Sequence, residues 1–137
     1  MPALSIKDAE VFYESAFAPW VKALDISFVR VEKDGVTLRI PASTDLNRMG
    51  GTMSGQAIMA LADTAMVFAV AAFAGDFVNM TTINLQTSFL RPVKDTELFA
   101  VARIIKPGRT IMFGEVNLHT GDADKPVGHV TSSYMLL

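Results

Sequence analysis

The sequence predicts an α+β domain in which a curved, six-stranded antiparallel sheet wraps around one long central helix, with a short helix at the N-terminus. The first observation is the run at residues 57–74, which as a helix is apolar nearly all round and must be wrapped by the rest of the chain. The second is the alternation of apolar and polar residues, with a period of two, in the segments on either side of this run. Strands joined by turns as short as these pair antiparallel. Six strands cannot enclose the helix completely, so we expect one side of it to lie against another subunit.

The N-terminal segment predicts a short helix over residues 5–18. Ser5 and Asp8 suit its first turn, and Pro19-Trp20 is expected to end it. The apolar residues of this segment recur at helical spacing on one face: Ile6, Ala9, Tyr13 and Phe17.

Two strands follow between residue 24 and Pro41, and Asp34-Gly35 between them is a good hairpin signal. Residues 42–53 are predicted to be a loop that leads into the long helix. Gly75 is a natural end for that helix, because glycine readily takes the left-handed conformation found after a helix.

Four more strands are predicted after the helix, at residues 80–90, 97–106, 110–119 and 127–136. In the first of them, strict alternation places Leu85 and Phe89 on one face and Thr82 on the other. The strand at 97–106 is apolar on both faces, which predicts that it is covered on both sides.

Size and composition limit the classes of protein to which this chain can belong. The 137 residues suit a single domain, 1–137, and a content of 50% apolar and 19% charged residues is typical of a folded protein. A net charge of −2 argues against a nucleic-acid surface. The absence of cysteine excludes disulfides, thiolate catalysis and zinc–sulfur sites, and His119 and His129 have no partners at ligand spacing, so no metal site is predicted. No secretory signal is recognisable in the first ten residues, so we expect a cytoplasmic protein.

Asp63 is the most informative residue, because it lies in the middle of the apolar run. An unpaired carboxylate costs several kcal/mol when it is buried, so such a group usually has a partner or a catalytic task. The presence of Asp63 in the middle of the run also argues against a membrane span, as does the lack of basic clusters on either side of the run. The glycine-rich segment 50–55 just ahead leaves backbone N–H groups open to a ligand.

These features together resemble a known family. Residues 47–66 read NRMGGTMSGQAIMALADTAM, residues 81–92 read TTINLQTSFLRP, and residues 106–109 read KPGR. In this order they resemble the PaaI-type acyl-CoA thioesterases, which have the hotdog fold, and the resemblance extends from Leu24 to Leu137. The family typically has an Asn, a glycine-containing loop, His-Gly-Gly, four residues, Leu, one residue and then the catalytic Asp. Here Ser54 and Gln56 stand where the family commonly has the His and the second Gly.

The resemblance implies an enzyme that hydrolyses an acyl- or aryl-CoA thioester to the free acid and coenzyme A, without a cofactor. Asp63 would act on water as a general base or on the carbonyl as a nucleophile, and both roles stay open. The backbone N–H groups of Gly55 and Gln56, at the positive end of the helix dipole, would stabilise the oxyanion. Ser54 would fill or vacate the role of the missing histidine.

The remaining candidates follow from the same resemblance. Thr82 falls where several family members have a hydroxyl residue that assists the Asp or its water, and Asn47 corresponds to an Asn that orients the carbonyl or the loop. The phosphates of coenzyme A need positive charge at the mouth of the site. Three basic residues at strand ends are our candidates: Arg91, Lys106 and Arg109.

Geometry adds a prediction about assembly. Gly55 and Asp63 are eight residues apart, so they lie about 12 Å apart along one helix, whereas oxyanion donor and base must both come within about 3 Å of the reacting group. One helix therefore cannot supply both. We expect a homodimer with antiparallel helices, in which Gly55 of one subunit faces Asp63 of the other, and pairing of dimers into a tetramer stays open.

Two other functions remain open at this point. One is a non-catalytic protein that binds or senses acyl-CoA in the same groove, which the altered Ser54 and Gln56 favour. The other is a hotdog hydratase or dehydratase, which ranks low because such enzymes typically use a histidine near the central helix and residues 1–110 contain none.

Overall fold

The computed structural model describes residues 3–137, and Met1 and Pro2 of the predicted domain 1–137 lie outside this range. Residues 3–137 form three helices, one short 3₁₀ turn at Thr44–Leu46 and six strands. The helices are α1 (Ile6–Ala16), α2 (Pro19–Lys22) and α3 (Gly55–Ala74). The strands are β1 (Ser27–Glu32), β2 (Gly35–Ile40), β3 (Met80–Phe89), β4 (Leu98–Lys106), β5 (Ile111–His119) and β6 (Gly128–Leu136).

The six strands form a single sheet in the order β1-β2-β4-β5-β6-β3, and every neighbouring pair is antiparallel. The predicted architecture, a six-stranded antiparallel sheet with a long central helix and a short N-terminal helix, is therefore confirmed. β3 does not pair with β4, the next strand in the chain, but with β6. This arrangement leaves β3 at one edge of the sheet, where no other strand of residues 3–137 pairs with its outer side.

α3 lies against the sheet and supplies much of the core. Its residues Leu61, Ala62, Ala65, Met66 and Val70 are completely buried. The helix is 20 residues long and apolar enough to cross a membrane by length and composition, but 67% of its most apolar window is buried inside the fold. It ends as predicted at Gly75, which has a left-handed φ of 83° and whose N–H donates to the carbonyl of Ala71.

The N-terminal segment forms two helices where one was predicted. Ser5 and Asp8 form a reciprocal capping box, with both hydrogen bonds at 3.0 Å. α1 ends at Ala16, and Pro19 begins the short α2 instead of only stopping the first helix. Proline suits this first helical position because it has no N–H to leave unpaired and its φ is already helical.

Aromatic side chains attach the N-terminal segment to α3. Phe12 stacks on Phe77 with ring centroids 4.0 Å apart, and Phe17 stacks on Phe68 of α3 at 5.5 Å. Phe68 also meets Phe28 of β1 edge to face at 4.7 Å. Such pairs add to the free energy gained by burying the rings.

The sheet contradicts two of the sequence-based expectations. The pairing between β3 and β6 shifts register between Thr82 and Asn84, so a β-bulge interrupts the alternation. Thr82 therefore lies on the same face of β3 as Phe89, toward α3, and not on the opposite face as strict alternation predicted. β4 was expected to be covered on both faces. Leu98 and its alternate neighbours are buried against the core, but Phe99 on the other face is only half-buried within the subunit.

Candidate active site

The candidate site is built around Asp63, in the middle of α3. Its carboxylate oxygen Oδ1 accepts a hydrogen bond from Thr82 Oγ1 at 3.0 Å and is also in close contact with the hydroxyl group of Tyr134. The same hydroxyl lies 2.8 Å from the backbone carbonyl oxygen of Asp63. The carboxylate that the sequence places in an apolar helix is therefore half-buried and held by two hydroxyl groups.

Two adjacent strands position these hydroxyl groups. Thr82 of β3 and Tyr134 of β6 are paired residues in the sheet, so their side chains are neighbours on the same face. The bulge that follows Thr82 directs its side chain toward α3. Because one helix and two paired strands fix all three groups, the arrangement does not depend on a loop.

Tyr134 is fully buried, and burial raises its pKa above the ordinary value of 10.0, with a further contribution from the Asp63 carboxylate. Its hydroxyl group therefore stays protonated and remains a hydrogen-bond donor at every physiological pH.

Thr64 is not a partner of Asp63, although it is the next residue. Its hydroxyl donates to the carbonyl of Ala60 at 2.8 Å, a common bond within helices. Within residues 3–137, no donor contacts the second carboxylate oxygen of Asp63. Asp63 also lines a cavity of about 310 Å³ between α3 and the segment that joins α1 to α2. The acid is thus oriented through one oxygen, while the other accepts no hydrogen bond from the described part of the chain.

The second part of the predicted site is the start of α3. Ser54 is the N-cap of the helix, and its side chain accepts a hydrogen bond from the N–H of Ala57 at 3.2 Å. Gly55 and Gln56 are the first two helical residues, and in the described part of the chain their N–H groups have no acceptor. These donors at the positive end of the helix are suited to stabilise an anion.

Gly55 lies beside a different cavity, of about 330 Å³. The ring of Phe89 packs over Gly55, and a Cβ atom added there would lie 3.1 Å from the ring. Arg48 and Arg91 also line this cavity. The cavity beside Gly55 and the cavity beside Asp63 have no lining residue in common, so one subunit does not bring the two predicted catalytic groups together.

One stripe along α3 is left uncovered by the subunit's own sheet. Gln56 is exposed, and Met59, Ala60, Asp63 and Val67 are half-buried. These residues are three or four positions apart and so share one face of the helix. The stripe extends from the helix start to one turn beyond Asp63.

The other predicted residues are more scattered. Asn47 follows the 3₁₀ turn, pairs through its backbone with Met53, and lines a separate small cavity of about 110 Å³. The guanidinium of Arg91 donates to the carbonyl of Pro126, close to the start of α3. Lys106 and Arg109 are exposed at the opposite end of the sheet, so a single subunit does not gather the three predicted basic residues.

Tyr134, which contacts Asp63, and Arg48, which lines the cavity beside Gly55, were not predicted from the sequence. A signal for Tyr134 exists, because Val130, Ser132 and Tyr134 alternate on the inward face of β6, and a buried tyrosine hydroxyl needs a partner. Arg48 has no comparable signal, because only the folded loop places it beside Gly55. Within residues 3–137, no group of three or more His, Asp or Glu side chains is placed to hold a metal ion.

The fold defines a hotdog-type protein, and its candidate active site is centred on a carboxylate. Comparisons with known proteins agree on the fold. Residues 50–127 match the family model described as the thioesterase superfamily. A provisionally named esterase of Thermoplasma volcanium is 24% identical over 103 residues, 75% of this chain and 77% of that protein. A provisionally named thioesterase structure from Silicibacter sp. is 27% identical and has a TM-score of 0.86, covering 100% of this chain and 95% of that one. The PaaI protein from the E. coli phenylacetic acid degradation operon is 19% identical, with a TM-score of 0.82 over 96% and 91% of the two chains, and shows the same fold.

The chain belongs to the thioesterase superfamily, because the matching region covers more than half of its length. The PaaI-type resemblance and the hotdog fold expected from the sequence are confirmed. The protein is accordingly a thioester hydrolase by class.

Proposed function

We propose that this protein hydrolyses an acyl-CoA thioester to a carboxylic acid and coenzyme A, in an active site formed by two copies of the chain. The observation that carries the proposal is Asp63, half-buried beside a cavity and held by Thr82 and Tyr134 through one oxygen only. A carboxylate without a task would be expected to have both oxygens paired or to be solvated.

In the proposed reaction, the free oxygen of Asp63 acts on water or directly on the thioester carbonyl. As a general base it removes a proton from water while the hydroxide oxygen bonds to the carbonyl carbon, and the carbon–sulfur bond then breaks to release the thiolate. As a nucleophile it bonds to the carbonyl carbon, the carbon–sulfur bond breaks to release the thiolate, and water then hydrolyses the resulting anhydride to the free acid and the Asp63 carboxylate. The thiol of coenzyme A is a good leaving group because its pKa is about 8 to 9, so the absence of a histidine at position 54 is tolerable. Neither route requires a cofactor.

A second subunit supplies the oxyanion donor in this proposal. The N–H groups of Gly55 and Gln56 point out of the helix start without acceptors, but about eight helical residues, or roughly 12 Å, separate them from the carboxylate of their own subunit. The part of the uncovered stripe nearest the helix start, Gln56 and Met59, supports antiparallel contact between α3 and its copy. A contact centred near Met59, midway between residues 55 and 63, places Gly55 of each subunit beside Asp63 of the other and leaves Val67 outside the contact.

The same two-fold arrangement would gather the basic residues. Arg91 follows one end of the edge strand β3, and Lys106 and Arg109 lie at the other end of the sheet. If β3 pairs antiparallel with its copy, the Arg91 end of one subunit meets the Lys106 end of the second. Arg91 and Arg48 of one subunit, with Lys106 and Arg109 of the other, would then bind the phosphates of coenzyme A.

The test is thiol release from a panel of acyl-CoAs by the wild type and by Asp63→Asn, which keeps the size of the side chain and removes its charge. We expect kcat to fall by about 10²- to 10⁴-fold, the usual contribution of a general base. Asp124→Asn, in an exposed loop, is the matched control and should retain full turnover. Unchanged turnover in Asp63→Asn would remove this carboxylate from the mechanism.

A second candidate function is acyl-CoA binding without hydrolysis. The specific observation in its favour is Ser54, which accepts a hydrogen bond from Ala57 as the N-cap of α3 and offers no imidazole where the family commonly has a histidine. Tight binding of acyl-CoA by the wild type without thiol release would favour this function.

A further inference from the structure

The N-terminal segment that joins α1 to α2 forms one wall of the cavity beside Asp63. Phe17, Trp20 and Val21 face Ala60, Asp63 and Val67 of α3 across this cavity. Neither the family match, which begins at residue 50, nor the catalytic groups described above involve this segment.

A second cavity, of about 180 Å³, continues from the first. Ala16, Phe17 and Val67 line both cavities, so the two meet at these residues. Beyond them the second cavity is lined by the stacked pair Phe12 and Phe77. The two adjoining cavities outline a groove that starts at Asp63, follows the N-terminal segment and is lined mostly by apolar side chains.

The groove offers an occupant almost no hydrogen bonds along the first cavity. Apart from Asp63 itself, the described residues place two polar side-chain groups there: the hydroxyl of Thr64, which is already bonded to Ala60, and the indole N–H of Trp20, a residue that is largely exposed. A hydroxyl or carboxyl substituent on the occupant would lose hydration and find few partners, the indole N–H of Trp20 in the first cavity and the amide of Asn79 in the second, which is costly. An apolar chain would gain free energy from burial along the whole groove.

We propose that this groove binds the acyl group of the substrate, and that it selects an unsubstituted linear chain of medium length over short or polar acyl groups. The inference rests on the proposed function, because the groove is assigned by its continuity with Asp63. A rigid ring would occupy only the first cavity, whereas a flexible chain passes Ala16 and Phe17 and enters the second. The residues between Ala16 and Val21 are then specificity-determining residues of the hydrolase.

The test compares kcat/KM for acetyl-, butanoyl-, octanoyl- and decanoyl-CoA. In the wild type we expect kcat/KM to rise by up to about fourfold for each methylene that enters the groove. Ala16→Leu places a larger side chain where the two cavities meet, and should lower kcat/KM for octanoyl- and decanoyl-CoA at least about tenfold relative to acetyl-CoA. Ser15→Leu, the same enlargement at a neighbouring exposed position that lines neither cavity, should keep the wild-type preference. An equal loss for all four substrates, or no change, in Ala16→Leu would overturn the assignment.

Binding can be measured separately from turnover, because Trp20 is the only tryptophan in the chain and lies on the groove. We expect its fluorescence to shift on titration with S-decyl-coenzyme A, an uncleavable thioether, in the wild type and Ser15→Leu but not in Ala16→Leu. If the wild type cleaves no acyl-CoA, the proposed hydrolysis fails while this titration still decides whether the groove binds an acyl chain. No shift in the wild type would overturn the inference. A change from dimer to monomer in Trp20→Ala, measured by sedimentation, would also overturn it, since the groove would then be covered by the second copy.

Discussion

Asp63 is a carboxylate in an apolar helix, and two hydroxyl groups from the sheet compensate for part of its lost hydration. Thr82 and Tyr134 both bind Oδ1. Hydrogen bonds to a charged group contribute about 1.5–3 kcal/mol each, enough to offset a large part of the cost of partial burial. The sequence showed that Asp63 needs a partner, but not which one. Thr64 was its neighbour in the chain, while the actual partners lie 19 and 71 positions away.

Tyr134 gives a prediction at the residue scale. Burial raises its pKa above 10.0, so the folded protein holds this proton more tightly than the unfolded chain does. The resulting stabilisation is fully present below pH 10 and is lost as the pH rises above that value. We therefore expect the urea midpoint of unfolding to fall between about pH 10 and pH 11 in the wild type and to fall less in Tyr134→Phe.

Tyr13 provides the matched control, because it is the other tyrosine and burial also raises its pKa. Tyr13 is less deeply enclosed than Tyr134, whose surroundings also include a carboxylate. Tyr13→Phe should therefore keep most of the alkaline loss of stability. Equal pH profiles for the wild type and Tyr134→Phe would show that the Tyr134 hydroxyl is not buried against Asp63.

At the scale of elements, periodicity predicted all six strands and the central helix, because those patterns are local. The apolar run at residues 57–74 corresponds to α3, which begins two residues earlier, at Gly55. The β-bulge after Thr82 was not predictable, since strict alternation in the sequence conceals an extra residue that only pairing with β6 reveals. The order of the strands in the sheet depends on contacts between distant segments, so it could not be predicted from the sequence pattern either.

The start of α3 gives a prediction at this scale. Gly55→Pro removes the N–H proposed as oxyanion donor. The backbone should accept proline, because position 55 is the first residue of the helix. Ser54 also already has the extended ψ of 148° that is favoured before proline. Gly55→Ala keeps the N–H and adds a Cβ against the half-exposed ring of Phe89, so it is the matched control. We expect kcat of Gly55→Pro to fall by about 10²- to 10³-fold while Gly55→Ala stays within about tenfold of the wild type.

Circular dichroism and thermal unfolding of both variants check that the helix is intact. If Gly55→Pro is folded and retains the turnover of Gly55→Ala, the backbone N–H at this position does not stabilise the oxyanion.

At the scale of the whole molecule, the proposed active site requires residues from two subunits. The spacing of Gly55 and Asp63 in the sequence already predicted that they lie about 12 Å apart along one helix. In the structure they lie beside cavities with no lining residue in common. The uncovered stripe on α3 and the edge position of β3 both indicate where a second copy would bind. From the sequence, Arg91, Lys106 and Arg109 were expected to lie together at the mouth of the site. They lie at opposite ends of the sheet in one subunit, and the proposed dimer would bring them together. The pairing of subunits is thus the step on which the proposed function depends most.

Subunit complementation tests this pairing most directly. Asp63→Ala and Gly55→Pro are each expected to be nearly inactive alone. When the two are unfolded together and refolded as an equal mixture, each mixed dimer regains one complete site, with Asp63 from one subunit and Gly55 from the other. Since about half of randomly formed dimers are mixed, turnover should return to about a quarter of the wild-type value. A mixture no more active than its two components would contradict the account, because it would mean that Asp63 and Gly55 do not act together across the interface.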